Sequence, residues 1–251
     1  MSLPAPIWRS TLAMAAMDLR LTARRGENLL VMIVIPAAVL VFFATFSVVA
    51  TPGARVDFLL GGAIALAIVA TGLVNLGIAT AYERHYGVLK RLGGSPLTRS
   101  GLVAAKLLSV LVIEIGQVIL LFGIAFIALG WRLPPSFSLP VLALALTLGT
   151  VVFAGLGLAL AGTLRAETVL ALANLLFLVF LAVSGIVVSL DQLPDWLAAA
   201  SRLLPATALS EVVRIALGAG GDGRADALPP TAVLAAWSVL AAAALTAFRW
   251  D

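Results

Sequence analysis

The 251-residue chain has no cysteine, one histidine, two lysines and two tyrosines. Without cysteine there is neither a disulfide framework nor a thiolate nucleophile. His85 stands alone, so it cannot build a His/Cys metal site, and it sits in a connection rich in basic residues where nothing resembles a nucleophile–base–orienter set. Lys90 follows Leu89 and Lys106 follows Ala105, so neither lysine ends a glycine-rich phosphate loop reading Gly-Lys-Ser/Thr. The chain is therefore expected to be non-catalytic. Charge is also scarce, at 11% of residues, and the net +4 is too small and scattered to suggest a nucleic-acid partner.

Apolar residues fill the space that charge leaves. They make up 62% of the chain, and mean hydropathy is +1.14, whereas a soluble domain is about 45–50% apolar and about 25% charged. A small soluble domain cannot bury that much apolar surface, because most of its residues touch water. Lipid must be the solvent for much of the chain. A spanning helix needs about 20 mostly apolar residues, and six runs qualify, at 29–50, 58–80, 107–129, 139–164, 168–190 and 231–248. They are long and lack the alternation of a membrane barrel. The first 26 residues do not read as a signal peptide, because Arg20, Arg24 and Arg25 interrupt them.

Basic residues favour the cytoplasmic side of a membrane protein. With the N-terminus inside, eleven of the sixteen basic residues fall on inner connections and five on outer ones. The outer five are Arg55, Arg132, Arg202, Arg214 and Arg224. This predicts a multi-pass protein of the plasma (cytoplasmic) membrane with both termini in the cytoplasm. Trp8, Leu12, Ala15 and Leu19 recur at helical spacing within 6–26, with Arg9, Arg20 and Arg24 elsewhere around the wheel. Residues 1–28 thus read as an interfacial amphipathic helix on the inner leaflet, and 29–251 as a six-helix transmembrane domain. Residues 191–230 hold two short helical pieces that suit an outer re-entrant hairpin before the last span. A flexible return follows at 218–223.

The most charged inner connection is 81–101. Tyr82, Tyr86, Leu89 and Leu92 fall near one helical face, and Gly93 and Gly94 stop that helix. Pro96 then suits a helix restart. The expected product is a short amphipathic helix at the inner face, able to dock a soluble partner.

The residues Glu83-Arg84-x-x-Gly87-x-Leu89-Lys90-Arg91-Leu92, followed by Pro96-Leu97, resemble the coupling segment of type-2 ABC exporter permeases. They are similar in particular to drug-efflux permeases of the daunorubicin-resistance kind. Gly94 and Ser95 fill positions that are often Ala, Thr or Pro in that family. The layout is similar too: an N-terminal interfacial helix, six spans, and an outer hairpin carrying Leu193-Pro194-x-Trp196-Leu197 and Leu204-Pro205-Ala206-Thr207. The resemblance implies a permease subunit of an ATP-binding cassette exporter. Glu83, Arg84, Gly87, Leu89, Lys90, Arg91, Leu92 and Pro96 would couple it to a separate ABC ATPase. Two ATPase copies would work with this chain and a second permease, as a homodimer or heterodimer. No cofactor would bind here; ATP and Mg would sit on the ATPase. Cargo would be amphipathic or hydrophobic: a drug, a lipid or a secondary metabolite. An envelope polysaccharide or precursor is the alternative within the family, and an ion-coupled secondary transporter an alternative outside it.

Four polar residues in the spans are candidates for a translocation path: Glu114, Gln117, Asn75 and Asn174. An ionisable group inside a membrane is costly and is a functional candidate by default. Glu114 equally suits a structural role, paired with Gln117, Asn75 or Asn174. The amides can also simply bond between helices. Phe42, Phe43, Phe46, Phe177 and Phe180 suit packing or contact with an apolar substrate. Trp131, Trp196, Trp237 and Trp250 suit interfacial anchors, and Pro36 suits a kink in the first span.

Overall fold

A computed structural model describes residues 6–24, 26–46, 51, 53–93, 98–219 and 229–246. Among these residues the chain is helical, with no strand. That outcome follows from the solvent: within lipid, backbone polar groups must be satisfied inside the segment, and a helix does this alone.

Helix α1 (Ile7–Arg24) lies along α6 (Arg99–Ala128) and touches α2 (Gly26–Thr45). Ala15 is buried there, whereas Trp8 and Leu12 remain exposed. The apolar stripe read from sequence is therefore shared between protein and surroundings. α2 runs through Pro36. Next come α3 (Arg55–Val69), a π-helical segment (Ala70–Leu76) and α4 (Gly77–His85), which form one continuous 31-residue helix. α5 (Val88–Gly93) is a separate short helix. The bundle continues with α7 (Leu139–Thr163), α8 (Ala166–Val183), α9 (Asp195–Ser201), α10 (Pro205–Ala216) and α11 (Pro230–Thr246).

Four of these helical stretches are long and apolar enough to cross a membrane: 55–85, 99–128, 139–163 and 166–183. Met32–Thr45 and Pro230–Leu245 are shorter apolar helices. Several boundaries differ from the hydropathy reading. The second run continues past 80 to His85, and the third begins at Arg99 rather than 107. Charged residues at an interface do not break a helix, and the Thr98 hydroxyl caps α6 by accepting from the Gly101 amide at 3.1 Å. The fifth helix stops at Val183 rather than 190. Beyond it Gly185 adopts φ +68°, and Ile186 and Val187 are buried in non-helical backbone. Arg214 satisfies that backbone. Its guanidinium donates to the carbonyls of Gly185, Ile186 and Phe58 and lies 3.7 Å from the Phe58 ring centroid. Arg214 is thus a strut inside the bundle, not the loop charge counted from sequence.

Small residues set the helix crossings. A Cβ on Gly157 would fall 2.6 Å from the Gly72 carbonyl oxygen and 3.0 Å from that of Leu73. α7 therefore meets the π segment backbone to backbone, the close approach that drives packing where lipid supplies no hydrophobic force. Gly61 likewise meets α10 at Arg214, where an added Cβ would fall 2.5 Å from the side-chain Cγ and 3.5 Å from the backbone Cα and N.

Pro205 starts α10 with Leu204 as N-cap. α10 packs against α3, α7 and α11 and is buried over most of its length. At 12 residues it is too short to span. Trp131 is no interfacial anchor. It is buried, stacks on Phe122 with centroids 5.6 Å apart, and donates to Asp57 at the start of α3. Trp196 is exposed, Trp237 donates to the Leu203 carbonyl at 2.9 Å, and Trp250 lies outside the described residues.

Candidate functional site

A cavity of about 610 Å³ opens between α2, the π segment, α4 and α8. Its walls are mostly aliphatic, with Phe177 from α8, Asn75 and Asn174 among the lining residues. At the end nearer the 81–101 connection it is lined by Tyr82, Glu83 and Tyr86. Among the described residues that line it, Glu83 alone is formally charged.

Glu83 is held from behind. Lys106 donates to its Oε2 at 2.7 Å, with the lysine side chain 3% exposed and the glutamate 25%. By sequence Lys106 counts among the inner-connection charges. The early start of α6 buries it instead. Asp18 on α1 completes the group: its Oδ2 is buried with no hydrogen-bond partner among the described residues. Burial pushes the Asp18 carboxyl above its ordinary pKa; the Lys106 charge opposes that rise and the Glu83 charge adds to it. Lys106 thus pairs directly with Glu83 and also acts through its charge on Asp18.

Arg84, the next residue, points the other way. Its Nη1 donates to the Ala161 carbonyl at 2.7 Å and its Nη2 to that of Leu164 at 3.1 Å. It fills the carbonyls that the C-terminus of α7 leaves unmet, and its charge suits the helix dipole there. The expected single amphipathic helix is in fact two. α4 ends at His85, Gly87 turns the chain at φ +72°, and α5 begins at Val88. The left-handed φ is easy for glycine alone, so Gly87 is a hinge-like corner between helices. Leu89 is buried, anchoring α5, while Tyr86, Lys90 and Arg91 are exposed. Leu92 belongs to α5, and Pro96 lies outside the described residues.

The four residues proposed for a path divide into two pairs. Asn75 and Asn174 line the cavity, and Asn174 Nδ2 also donates to the Leu170 carbonyl of its own helix at 2.8 Å. Glu114 and Gln117 lie elsewhere, buried within the bundle. Gln117 bridges helices: it accepts from the Thr71 hydroxyl at 3.0 Å and donates to the Met32 carbonyl at 3.0 Å. Glu114 meets none of the three partners proposed for it. Its Oε2 is hydrogen-bonded to Thr150, whose hydroxyl also lies 2.8 Å from the Leu146 carbonyl. One hydroxyl hydrogen cannot serve both acceptors. The pair is satisfied when the Glu114 carboxyl itself supplies a proton.

Phe177 is the cavity-lining member of the phenylalanine set. Phe180 packs edge-on to Phe153, and Phe42 sits against Phe43 and Phe46. Sequence reading missed Asp18, Lys106 and Thr150. The one usable signal was Asp18, a lone acid in a helix whose other charges are arginines.

No curated protein matches this chain in sequence. The family model described as ABC-2 type transporter matches residues 9–217. Such membrane domains are permease components that imply an ABC ATPase partner. With most of its length inside that match, the chain belongs to the ABC-2 type transporter family, as the multi-pass permease component of an ABC exporter.

Proposed function

We propose that this chain spans the plasma membrane six times, with both termini cytoplasmic, and moves an amphipathic or apolar molecule outward. Its power comes from ATP hydrolysed by two copies of a separate ATPase, working beneath this permease and a second one. The observation that carries this reading is the continuity between α5 and the cavity. α5 presents Lys90 and Arg91 to solvent. It joins, through the Gly87 corner, the same helix that puts Tyr82 and Glu83 into the cavity wall. A push on α5 reaches the cavity within two helical turns. The aliphatic walls suit the apolar body of a drug, lipid or secondary metabolite better than a sugar polymer, whose hydroxyls would lose water without enough partners.

The test uses residues that face outward. Lys90→Glu with Arg91→Glu leaves the buried contacts of Leu89 and Arg84 intact. Expected is a protein that inserts and folds as before but loses copurification with its ATPase and loses nucleotide-driven export in proteoliposomes. Undiminished export in the double variant would refute the coupling role of α5.

A further inference from the structure

We infer that the Tyr82–Glu83–Tyr86 end of the cavity recognises a positively charged head group, so that the cargo is an apolar molecule bearing an organic cation. The inference rests on the cavity being the cargo site and names the class of cargo it takes. The chain has two tyrosines in all, and both line this cavity. They sit one helical turn apart with rings nearly parallel, 23° between planes and centroids 6.2 Å apart. Stacked phenol faces attract a cation, most strongly where water is partly excluded. Glu83 lines the same end of the cavity, and among the described lining residues no basic group offsets it.

The Glu83–Lys106 ion pair does not cancel this. Lys106 is almost fully buried and is not among the residues that line the cavity, while Glu83 lines it and keeps a quarter of its side chain exposed. Counted with Asp18, the cluster holds two carboxyls against one ammonium. Asp18, near enough for its carboxyl to feel the Lys106 charge, keeps an oxygen unpartnered among the described residues, and a small movement of the lysine would give it a second acceptor. A cation arriving at Glu83 takes over part of the carboxylate, and Lys106 shifts its bonding toward Asp18 on α1. Arrival of cargo is thereby registered at α1 and α6 as well as on α4, without any group being left as an unpaired charge.

The experiment is equilibrium binding of three tetrahedral or near-tetrahedral aromatic probes to the full chain in lipid nanodiscs, after subtraction of binding to protein-free discs. The probes are tetraphenylphosphonium, tetraphenylborate and neutral triphenylmethanol. Expected is that the phosphonium binds about tenfold more tightly than the neutral probe, and the borate more weakly than either. Glu83→Gln should bring the phosphonium down to the neutral probe's affinity. Lys106→Gln should raise phosphonium affinity, and Asp18→Asn should lower it by leaving Lys106 on Glu83. Equal binding of phosphonium and borate to the wild type overturns the inference, as does a Glu83→Gln variant that keeps the phosphonium preference. If all three probes bind alike, the cavity stands as a cargo site without charge selection. If none binds, the cavity itself is not the cargo site.

Discussion

The backbone contact between α7 and the π segment can be tested with one methyl group. At Gly157 an added Cβ would sit 2.6 Å from the Gly72 oxygen, where ordinary contact begins at 3.4 Å. The obstacle is backbone on both sides: Gly72 and Leu73 carbonyls and the Gly77 Cα, 3.3 Å away. No rotamer change relieves it, so the helices must separate along the whole crossing. Overpacking of this kind costs about 1–3 kcal/mol. At Gly116 on α6 the same methyl meets nothing within 4 Å. There the substitution only restricts the backbone, which stabilises a helix by about 0.5–1 kcal/mol. Gly157→Ala should therefore be less stable than the wild type and Gly116→Ala at least as stable. The assay is the unfolding midpoint of the purified chain in lipid nanodiscs, followed by tryptophan fluorescence. Equal midpoints for the two variants, or a Gly157→Ala protein as stable as wild type, would refute the backbone contact.

Two further outcomes follow from groups beside the cavity. Arg84→Met removes both bonds to the Ala161 and Leu164 carbonyls; hydrogen bonds from a charged donor contribute about 1.5–3 kcal/mol each. The midpoint should fall, and hydrogen exchange should rise first at the C-terminal turn of α7. Arg84→Lys should restore only part of the loss, because lysine cannot bond two carbonyls through a planar fork. Asp18 has a carboxyl whose pKa folding raises from its ordinary 3.8. Folding thus favours its protonated form, so this contribution to stability is complete below the ordinary value and declines as pH rises through the raised one. Asp18→Asn should be more stable than wild type at pH 7, with the gap closing as pH falls toward 4. A gap that widened on acidification would contradict the burial of Asp18.

The helices were legible wherever one kind of pattern acted alone. Hydropathy located the apolar segments, because lipid imposes the same demand on every residue of a span. It failed where two demands met. Lys106 and Arg214 look like loop charges because charge in lipid is costly; each is tolerated because a distant segment supplies its acceptors. Glu83 lies 23 residues from Lys106, and Gly185 lies 29 from Arg214. No local periodicity carries such pairings. The division of Glu114 and Gln117 from Asn75 and Asn174 is of the same kind. All four are polar residues in apolar runs, and only the direction each helix faces decides which pair sees the cavity. Gly87 is the opposite case. Its residue type stands within a motif, yet the corner it makes depends on Leu89 being anchored in the bundle while Tyr86 is exposed.

The order of residues along α4 then acquires a mechanical meaning. Tyr82 and Glu83 face the cavity, Arg84 grips the end of α7, and Gly87 turns the chain into α5. Three consecutive roles share less than two turns of a helix whose hydrogen bonds keep it stiff. Under the proposed coupling, a partner that displaces α5 cannot move Glu83 without also loading the Arg84 bonds to α7. Those bonds set which way the load is carried. If they hold, α4 pivots about the α7 terminus, and the Tyr82–Glu83 wall swings relative to α8. If they break, α5 moves alone and only the Val88 edge of the cavity is disturbed. The Arg84→Met variant is therefore informative beyond stability. Assembled with its ATPase, it should hydrolyse ATP while exporting less per ATP consumed, since the stroke would reach α5 and stop there.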